Sequence, residues 1–570
     1  MKVIIIGGVA GGASCAARLR RLDENAEIIM VERGPYVSYA NCGLPYHIGK
    51  VIPNESDLLV ATADTFRHMF AVDARTRCEA VAIDPEQKTV DLKNLETGEV
   101  TTESYDKLVL SPGAPSIRPP LPGIDLPGIF SVRTVPDARE IRQWLEKGSL
   151  FLAGMSRYSG IQAIRPKTRA VVVGGGFIGL ETAENLVHRG FDVTVLEMGE
   201  QVLGPLDREM ARLVEGYLER HGINIVLNDG AAEFRQVPSG ALEVYTQSGK
   251  VYPADIVVLG IGVRPDTVLA KQAGLEIGIL GGIRTDEKMR TSEPDIFAVG
   301  DAVEVKDYMT GEWSLVALAG PANRQGRIVA DVIAGRDSHF RGTQGTAIIG
   351  LFEGTAAWTG VNEKRLKQIG DTDYEKIYMY PNSHAGYYPG AKPIAMKVLF
   401  RKSDGRLLGA QGLGEDGVDK RISALAGLLQ MGATVYDLEE SELCYAPQFG
   451  SAKDPVNFAG MVAAAVLRGD MPISHWDEIG EDVILDVREP VELAVESVKG
   501  ALNIPLGQLR ARMDELPRDK TIHIVCRSGQ RAYYATRILN QHGFNARNVS
   551  GGMLSRTYSS FFLQEGEGTS

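Results

Sequence analysis

Cys42 sits in the run Ser38-Tyr39-Ala40-Asn41-Cys42-Gly43-Leu44-Pro45-Tyr46, with no second cysteine at a CxxC or CxxxxC spacing. Thiols paired at such spacings can store two electrons as an internal disulfide. A solitary thiol can do so only as a sulfenic acid, or in a mixed disulfide with a thiol borrowed from a small molecule. A second candidate nucleophile, Cys526, opens Cys526-Arg527-Ser528-Gly529-Gln530-Arg531 directly after the apolar run Thr521–Val525. Amides of a tight strand-to-helix loop point inward, so with the helix N-terminus and Arg531 they favour a thiolate and cradle an anion. The other cysteines, Cys15, Cys78 and Cys444, show no disulfide framework and no zinc-like spacing. They read as packing residues, and such usage fits a reducing compartment.

Two β-α-β patterns position this chemistry. In the first, a strand over 3–6 runs into Gly7-Gly8-Val9-Ala10-Gly11-Gly12, then a helix over 13–22, then a strand over 28–31 ending at Glu32. Glycines at that turn let amides approach a pyrophosphate, and the acid holds a ribose diol. Val9 occupies the middle position of GxGxxG, so this loop departs from the pattern; without a ligand it is simply a glycine-rich turn. The second unit keeps the pattern intact. A strand over 170–173 leads to Gly174-Gly175-Gly176-Phe177-Ile178-Gly179, a helix through His188, and the strand Asp192–Leu196 ending at Glu197. Glu197 would bond ribose hydroxyls and repel a 2′-phosphate. Met198, Gly199 and Glu200 offer no arginine to hold one, so NADH is favoured over NADPH; alternatively Glu197 is a solvated strand end. Two such loops imply two dinucleotides, a fixed flavin and an exchanging nicotinamide. The turn Ser111-Pro112-Gly113-Ala114 suits close contact with a cofactor, and Gly300-Asp301 ends an apolar strand where a carboxylate can meet a ribityl chain.

The chain has 570 residues, 44% of them hydrophobic, and a formal charge of −12. Its length calls for roughly three or four domains, and its acidity argues against nucleic acid as a partner. The opening apolar strand is too short for a signal peptide, and no apolar run reaches the ~18 residues of a spanning helix. A cytoplasmic protein away from membranes is expected. The fold expected is α/β, with FAD binding over 1–115 and 265–330 and NAD binding over 116–264. An α+β dimerisation domain over 331–460, a linker over 461–479 and a final α/β module over 480–570 complete it. The stretch 147–168 reads as irregular, without a motif.

The two loops, the Gly-Asp segment and the Cys42 run resemble the two-dinucleotide flavoprotein reductases. Residues 38–46 are similar to the coenzyme A-disulfide reductase and NADH-dependent persulfide reductase branch, and the resemblance spans about 1–460. It implies FAD at Gly7, Gly8, Val9, Ala10, Gly12, Glu32, Arg33, Asn41, Ser111, Gly113, Asp301 and Ala319. It implies NAD at Gly174, Gly176, Phe177, Ile178, Gly179, Glu197 and Gly262, and coenzyme A at Arg18, Arg21, Ser38 and Asn41. Arg18 and Arg21 share a helix face and are otherwise a solvated basic patch. In a homodimer Tyr445 and one of Tyr387 or Tyr388, with Tyr387 favoured, would face the partner's active site; the other reading is tyrosines packing a dimer seam. The last module, from Asp486-Val487-Arg488-Glu489 through Gly551-Gly552, resembles rhodanese domains. Four residues between Cys526 and Arg531 suit sulfur over the larger phosphate; a degenerate module is the alternative. No metal is expected. The implied activity is NADH-dependent, FAD-linked reduction of a persulfide, polysulfide or coenzyme A disulfide at Cys42, with Cys526 as sulfur carrier. The alternatives are an NADH oxidase or peroxidase using a Cys42 sulfenic acid, though Ala10 stands where those relatives carry histidine, and a flavin-bearing redox sensor with a binding module.

Overall fold

The computed structural model describes residues 1–158, 168–238 and 240–556, with the side chains of 147–158 left undescribed. The chain divides into two units: residues 1–202 with 222–343, and residues 203–221 with 344–570.

The first unit holds two five-stranded parallel sheets. One is ordered Ile296–Ala298, Lys107–Leu110, Lys2–Ile6, Glu27–Glu32, Asp73–Thr76. Its three inner strands are apolar runs rich in Ile, Val and Leu, as strands covered on both faces are, and these side chains are almost all fully buried, whereas the edge strand Asp73–Thr76 is mixed. The other is ordered Ile223–Val226, Asp192–Leu196, Arg169–Val173, Ile256–Leu259, Ile129–Ser131. In each, the strand preceding the glycine loop lies in the middle of the sheet, so the loop opens at its carboxyl end, where ligands collect in such folds.

Two expectations shift here. The first helix is Ala10–Arg20, not 13–22. It begins inside the glycine loop, so Val9 is its N-cap and Ala10 its first residue. The helix Val135–Tyr158 runs through the first part of the stretch read as irregular. Residues 159–167 of that stretch lie outside the described residues.

The second unit has an antiparallel sheet ordered Ala347–Leu351, Gly354–Gly360, Leu407–Gly414, Ile394–Arg401, Tyr374–Met379. The helix Arg208–Arg220 belongs with this unit, although the sequence places it in the nicotinamide domain. A parallel sheet follows, ordered Ile473–Ser474, Asn545–Val549, Thr521–Val525, Val483–Asp486, Leu502–Asn503. The expected linker over 461–479 is therefore corrected. Its first part completes the helix Pro455–Leu467, and Ile473–Ser474 is the edge strand of the last sheet. Trp476 and Ile479 are buried against Val525, Val549 and Met553, so these apolar side chains anchor the segment. Among the described residues no helix is long and apolar enough to cross a membrane.

Candidate active site and sulfur-transfer loop

The two glycine loops are built alike. Gly7 has φ +95°, and a Cβ there would lie 1.9 Å from the Ser111 carbonyl oxygen; Gly174 has φ +110° and would meet the Gly260 oxygen at 2.3 Å. Only glycine allows that approach of strand end to neighbouring turn. Each strand-end acid then ties its loop down. Gly8 and Gly34 amides donate to Glu32 at 2.9 and 2.7 Å, while Gly175 and Gly199 amides donate to Glu197 at 2.6 and 2.7 Å. Neither Val9 nor Gly176 supplies a side-chain cap to the helix that follows, so no N-cap side chain competes with an anion at either N-terminus. A Cβ on Gly176 would meet nothing within 4 Å, which leaves that mouth clear beside Phe177, Ile178 and Gly179. Gly262, at φ +114°, closes the second sheet and accepts a bond from the Ile117 amide.

A cavity of about 960 Å³ opens beside the first loop. Its lining includes Gly7, Val9, Ala10, Glu32, Arg33, Asn41, Cys42, Ser111, Gly113, Asp301 and Ala319. Gly8 and Gly12 stand behind it, the Gly12 amide bonded to Ser111 Oγ at 3.1 Å. The glycine approach, the helix N-terminus without a side-chain cap and the ribose-type acid together suit a long dinucleotide such as FAD. Arg33 reaches Asp266 at 3.1 Å. Asp301 is not free: Arg133 donates to it at 2.8 Å, and the Arg133 carbonyl accepts from Asn41. Arg133 also lines the cavity and carries a positive charge toward Cys42. It sits just after an edge strand and carries no motif, so only the folded chain singles it out.

Cys42 is exposed to this cavity and unbonded to any other cysteine. It lies in a single 3₁₀ turn, Asn41–Gly43, running into the helix Leu44–Ile48. Burial of part of its surface raises the thiol above its ordinary pKa, and the Glu181 carboxylate adds to this, while Arg133 opposes it. Tyr39, on the same wall, is pushed up to about 12, mainly by burial. Cys15 and Cys78 are buried, as packing residues should be, whereas Cys444 is exposed. The residues expected to hold coenzyme A are not gathered here. Arg18 pairs with Asp331 at 2.8 Å, Arg21 is exposed, and neither they nor Ser38 line the cavity. Arg18 faces the helix Ala319–Ile333, whose close packing on the first helix supplies its carboxylate. Ser38 takes a left-handed φ of 47° and bonds its amide to the Gly8 carbonyl, which folds the Cys42 segment back over the glycine loop.

In the second unit the hydroxyls of Tyr387 and Tyr445 lie 2.8 Å apart on an exposed surface. Their hydrogen bond raises Tyr387 above the ordinary phenol range. Tyr388 instead turns its ring edge toward His384. In the last sheet, Cys526 is buried, and its sulfur accepts from the Gly529 amide at 3.2 Å and the Ala532 amide at 3.4 Å. Gly529, at φ +91°, turns the loop into the helix Gln530–Gln541. Arg531 is held in a bidentate pair with Glu492 at 2.6 and 2.7 Å, and that guanidinium lowers Glu492 to about 2. Glu492 lies 39 residues upstream of its partner, so no local pattern marks it.

A family model described as pyridine nucleotide-disulphide oxidoreductase matches residues 1–326. The dimerisation domain of the same family matches 347–454, and a rhodanese-like domain matches 473–555. The coenzyme A disulfide reductase of Staphylococcus epidermidis is 34% identical over 463 residues, covering 81% of this chain and 99% of its own. Among solved structures, reduced CoADR-RHD of Bacillus anthracis is 45% identical with a TM-score of 0.93, covering 99% of this chain and 98% of the other. A NAD-dependent persulfide reductase from A. fulgidus is 37% identical with a TM-score of 0.88, covering 97% and 100%. The water-forming NADH oxidase of Lactobacillus brevis is more distant, 27% identical with a TM-score of 0.74 over 82% and 99%. Two dinucleotide loops, an exposed thiol in the cavity beside one of them and a rhodanese-like module thus agree with these likenesses, and the chain belongs to the pyridine nucleotide-disulphide oxidoreductase family.

Proposed function

We propose that the protein reduces sulfur–sulfur bonds in a persulfide, polysulfide or coenzyme A disulfide, with NADH as the electron source and Cys42 as the attacking thiolate. The observation that carries this is Cys42, the exposed cysteine on the wall of the nucleotide cavity. The other cysteine lining the cavity, Cys78, is a buried strand residue and not paired with Cys42, so the oxidised partner of Cys42 would arrive with the substrate. The flavin part comprises 1–115 and 265–330, and the nicotinamide part lies within 116–264. FAD would be held by the first loop, Glu32, Asn41, Ser111, Gly113, Asp301 and Ala319. When bound, it supplies two-electron transfer between nicotinamide and sulfur.

Cys42 attacks one sulfur of R–S–S–R′, forming Cys42–S–S–R and releasing R′–S⁻, which takes up a proton. Two electrons from NADH then return Cys42 to the thiolate and release R–S⁻, which is protonated in turn. The sum is NADH + H⁺ + RSSR′ giving NAD⁺ + RSH + R′SH. Arg133 favours the thiolate by its charge, and the subunit pairs as a homodimer through the 347–454 region, whose Tyr387–Tyr445 hydroxyl pair would serve the partner's Cys42 as hydrogen-bond donor. Coenzyme A, held at Arg18, Arg21, Ser38 and Asn41, requires Arg18 to leave Asp331. Cys526 would carry sulfane sulfur, its charge cradled by the Gly529 and Ala532 amides.

Anaerobic NADH consumption tests the reading with a small persulfide, coenzyme A disulfide and peroxide offered separately. Rapid turnover on peroxide alone would favour the oxidase-like alternative and overturn the sulfur assignment. Cys526→Ser should lose at least about 10²-fold in sulfur transfer from thiosulfate yet keep turnover of soluble persulfide; loss of both would end the division of labour. For the nicotinamide preference, Glu197→Ala should narrow the ratio of NADH to NADPH kcat/KM by about tenfold or more, ~1.4 kcal/mol. An unchanged ratio would show that Glu197 does not select.

A further inference from the structure

The helix Phe177–His188 carries a stripe that leaves the nicotinamide loop and ends on the cysteine helix. At successive turns, Glu181, Asn185 and Arg189 meet Tyr46, Gly49 and Ile48. The Tyr46 hydroxyl donates to Glu181 Oε1 at 3.2 Å, and Arg189 Nη1 donates to the Ile48 carbonyl at 2.9 Å. A Cβ on Gly49 would lie 1.9 Å from Asn185 Oδ1, so the two helices touch through the glycine. Tyr46 stands one turn beyond Cys42 in the same short helical stretch, and the groups acting on the Glu181 carboxyl are the Tyr46 hydroxyl and Glu184.

We propose that Glu181, reached through the Tyr46 hydroxyl, is the positioning residue that holds the proton exchanged at Cys42. The inference rests on Cys42 being the reactive thiol. On ionisation, the S–H bond of Cys42 breaks and an O–H bond forms on Glu181, with Tyr46 passing its own proton to Oε1 and taking one in return; no electrons move. In the reverse sense the same path protonates a departing sulfur. Burial pushes the Glu181 carboxyl up to about 7, opposed by the Tyr46 bond and aided by Glu184, so the group changes hands with its proton near neutrality. The other charged groups acting on the thiol are Asp301, which raises it, and Arg133, which lowers it.

The test is the pH profile of Cys42 alkylation by iodoacetamide in the FAD-loaded enzyme without nicotinamide, read by mass spectrometry between about pH 5 and 10. Exposed Cys444 is the internal reference for folding and reagent. The wild-type profile should show an inflection near 7 in addition to that of the thiol. Glu181→Gln should remove the first inflection and move the second to lower pH, making Cys42 severalfold more reactive at neutrality. Tyr46→Phe should move the first inflection upward, because the carboxylate loses a donor. A Glu181→Gln profile that superimposes on wild type overturns the proposal. If that happens while Cys42→Ser abolishes turnover, the sulfur reading stands without it; if Cys42→Ser retains turnover, the reading itself has failed.

Discussion

Cys42→Ser is expected to lower NADH-dependent turnover of every persulfide and disulfide by at least roughly 10³-fold, as removal of a covalent nucleophile does. Electron transfer from NADH to ferricyanide, which needs the two nucleotides but no sulfur chemistry, should stay within about threefold of wild type. The split follows from geometry. Serine keeps the size of the side chain at the turn Asn41–Gly43, so the cavity wall and the helix Leu44–Ile48 survive. What disappears is the only cysteine lining that cavity apart from Cys78, a buried strand residue. Parallel loss of both activities would mean that the substitution damages the nucleotide site instead, and undiminished sulfur turnover would remove Cys42 from the chemistry.

The second large effect concerns stability, and it comes from Lys397, which is fully buried in the middle of the strand Ile394–Arg401. Its ammonium pairs with Asp207 at 2.8 Å and also with Glu209 and Glu363; Lys376 reaches Glu363 at 2.9 Å. The three carboxylates are close enough together to surround a metal ion, and the lysine occupies that role. Burial alone would push Glu209 and Glu363 up and Lys397 down. Their mutual attraction wins, holding both acids below and the lysine above their ordinary values. Lys397→Met leaves buried Asp207 and Glu363 and half-buried Glu209 facing one another, and unfolding of the second unit should become easier by about 3–5 kcal/mol. Thermal unfolding followed by calorimetry checks this, and a shift no larger than that of a surface substitution would refute it. The pH dependence has a definite sign. The depressed acids contribute stability above about pH 4.5 that is lost as pH falls further, and the raised lysine contributes stability below about pH 10.5 that is lost as pH rises through its folded value. Lys397→Met should remove much of this unit's excess acid lability along with its stability.

Local chemistry was legible in the linear chain wherever residues close in sequence share a task. The glycine loops, their strand-end acids Glu32 and Glu197, the Cys42 turn and the Cys526 loop each fit within about 35 residues, the reach of one β-α-β unit. Their strands were readable because a parallel strand buried on both faces must be apolar throughout, as Asp192–Leu196 and Ile256–Leu259 are. Boundaries fared less well. The start of the first helix at Ala10 and the entry of Ile473 into the last sheet depend on packing that apolar runs alone do not locate.

What the amino-acid order determined by itself was the inventory: two dinucleotide loops, one unpaired thiol near the first, and a cysteine–arginine loop near the end. What only tertiary structure decided was which charges meet. Glu181 reaches Tyr46 across 135 positions, Arg133 reaches Asp301 across 168, and Lys397 gathers acids from two distant helices. Such pairs leave no local trace, because a charge can be buried only when a partner or a proton neutralises it, and that partner is supplied by the fold.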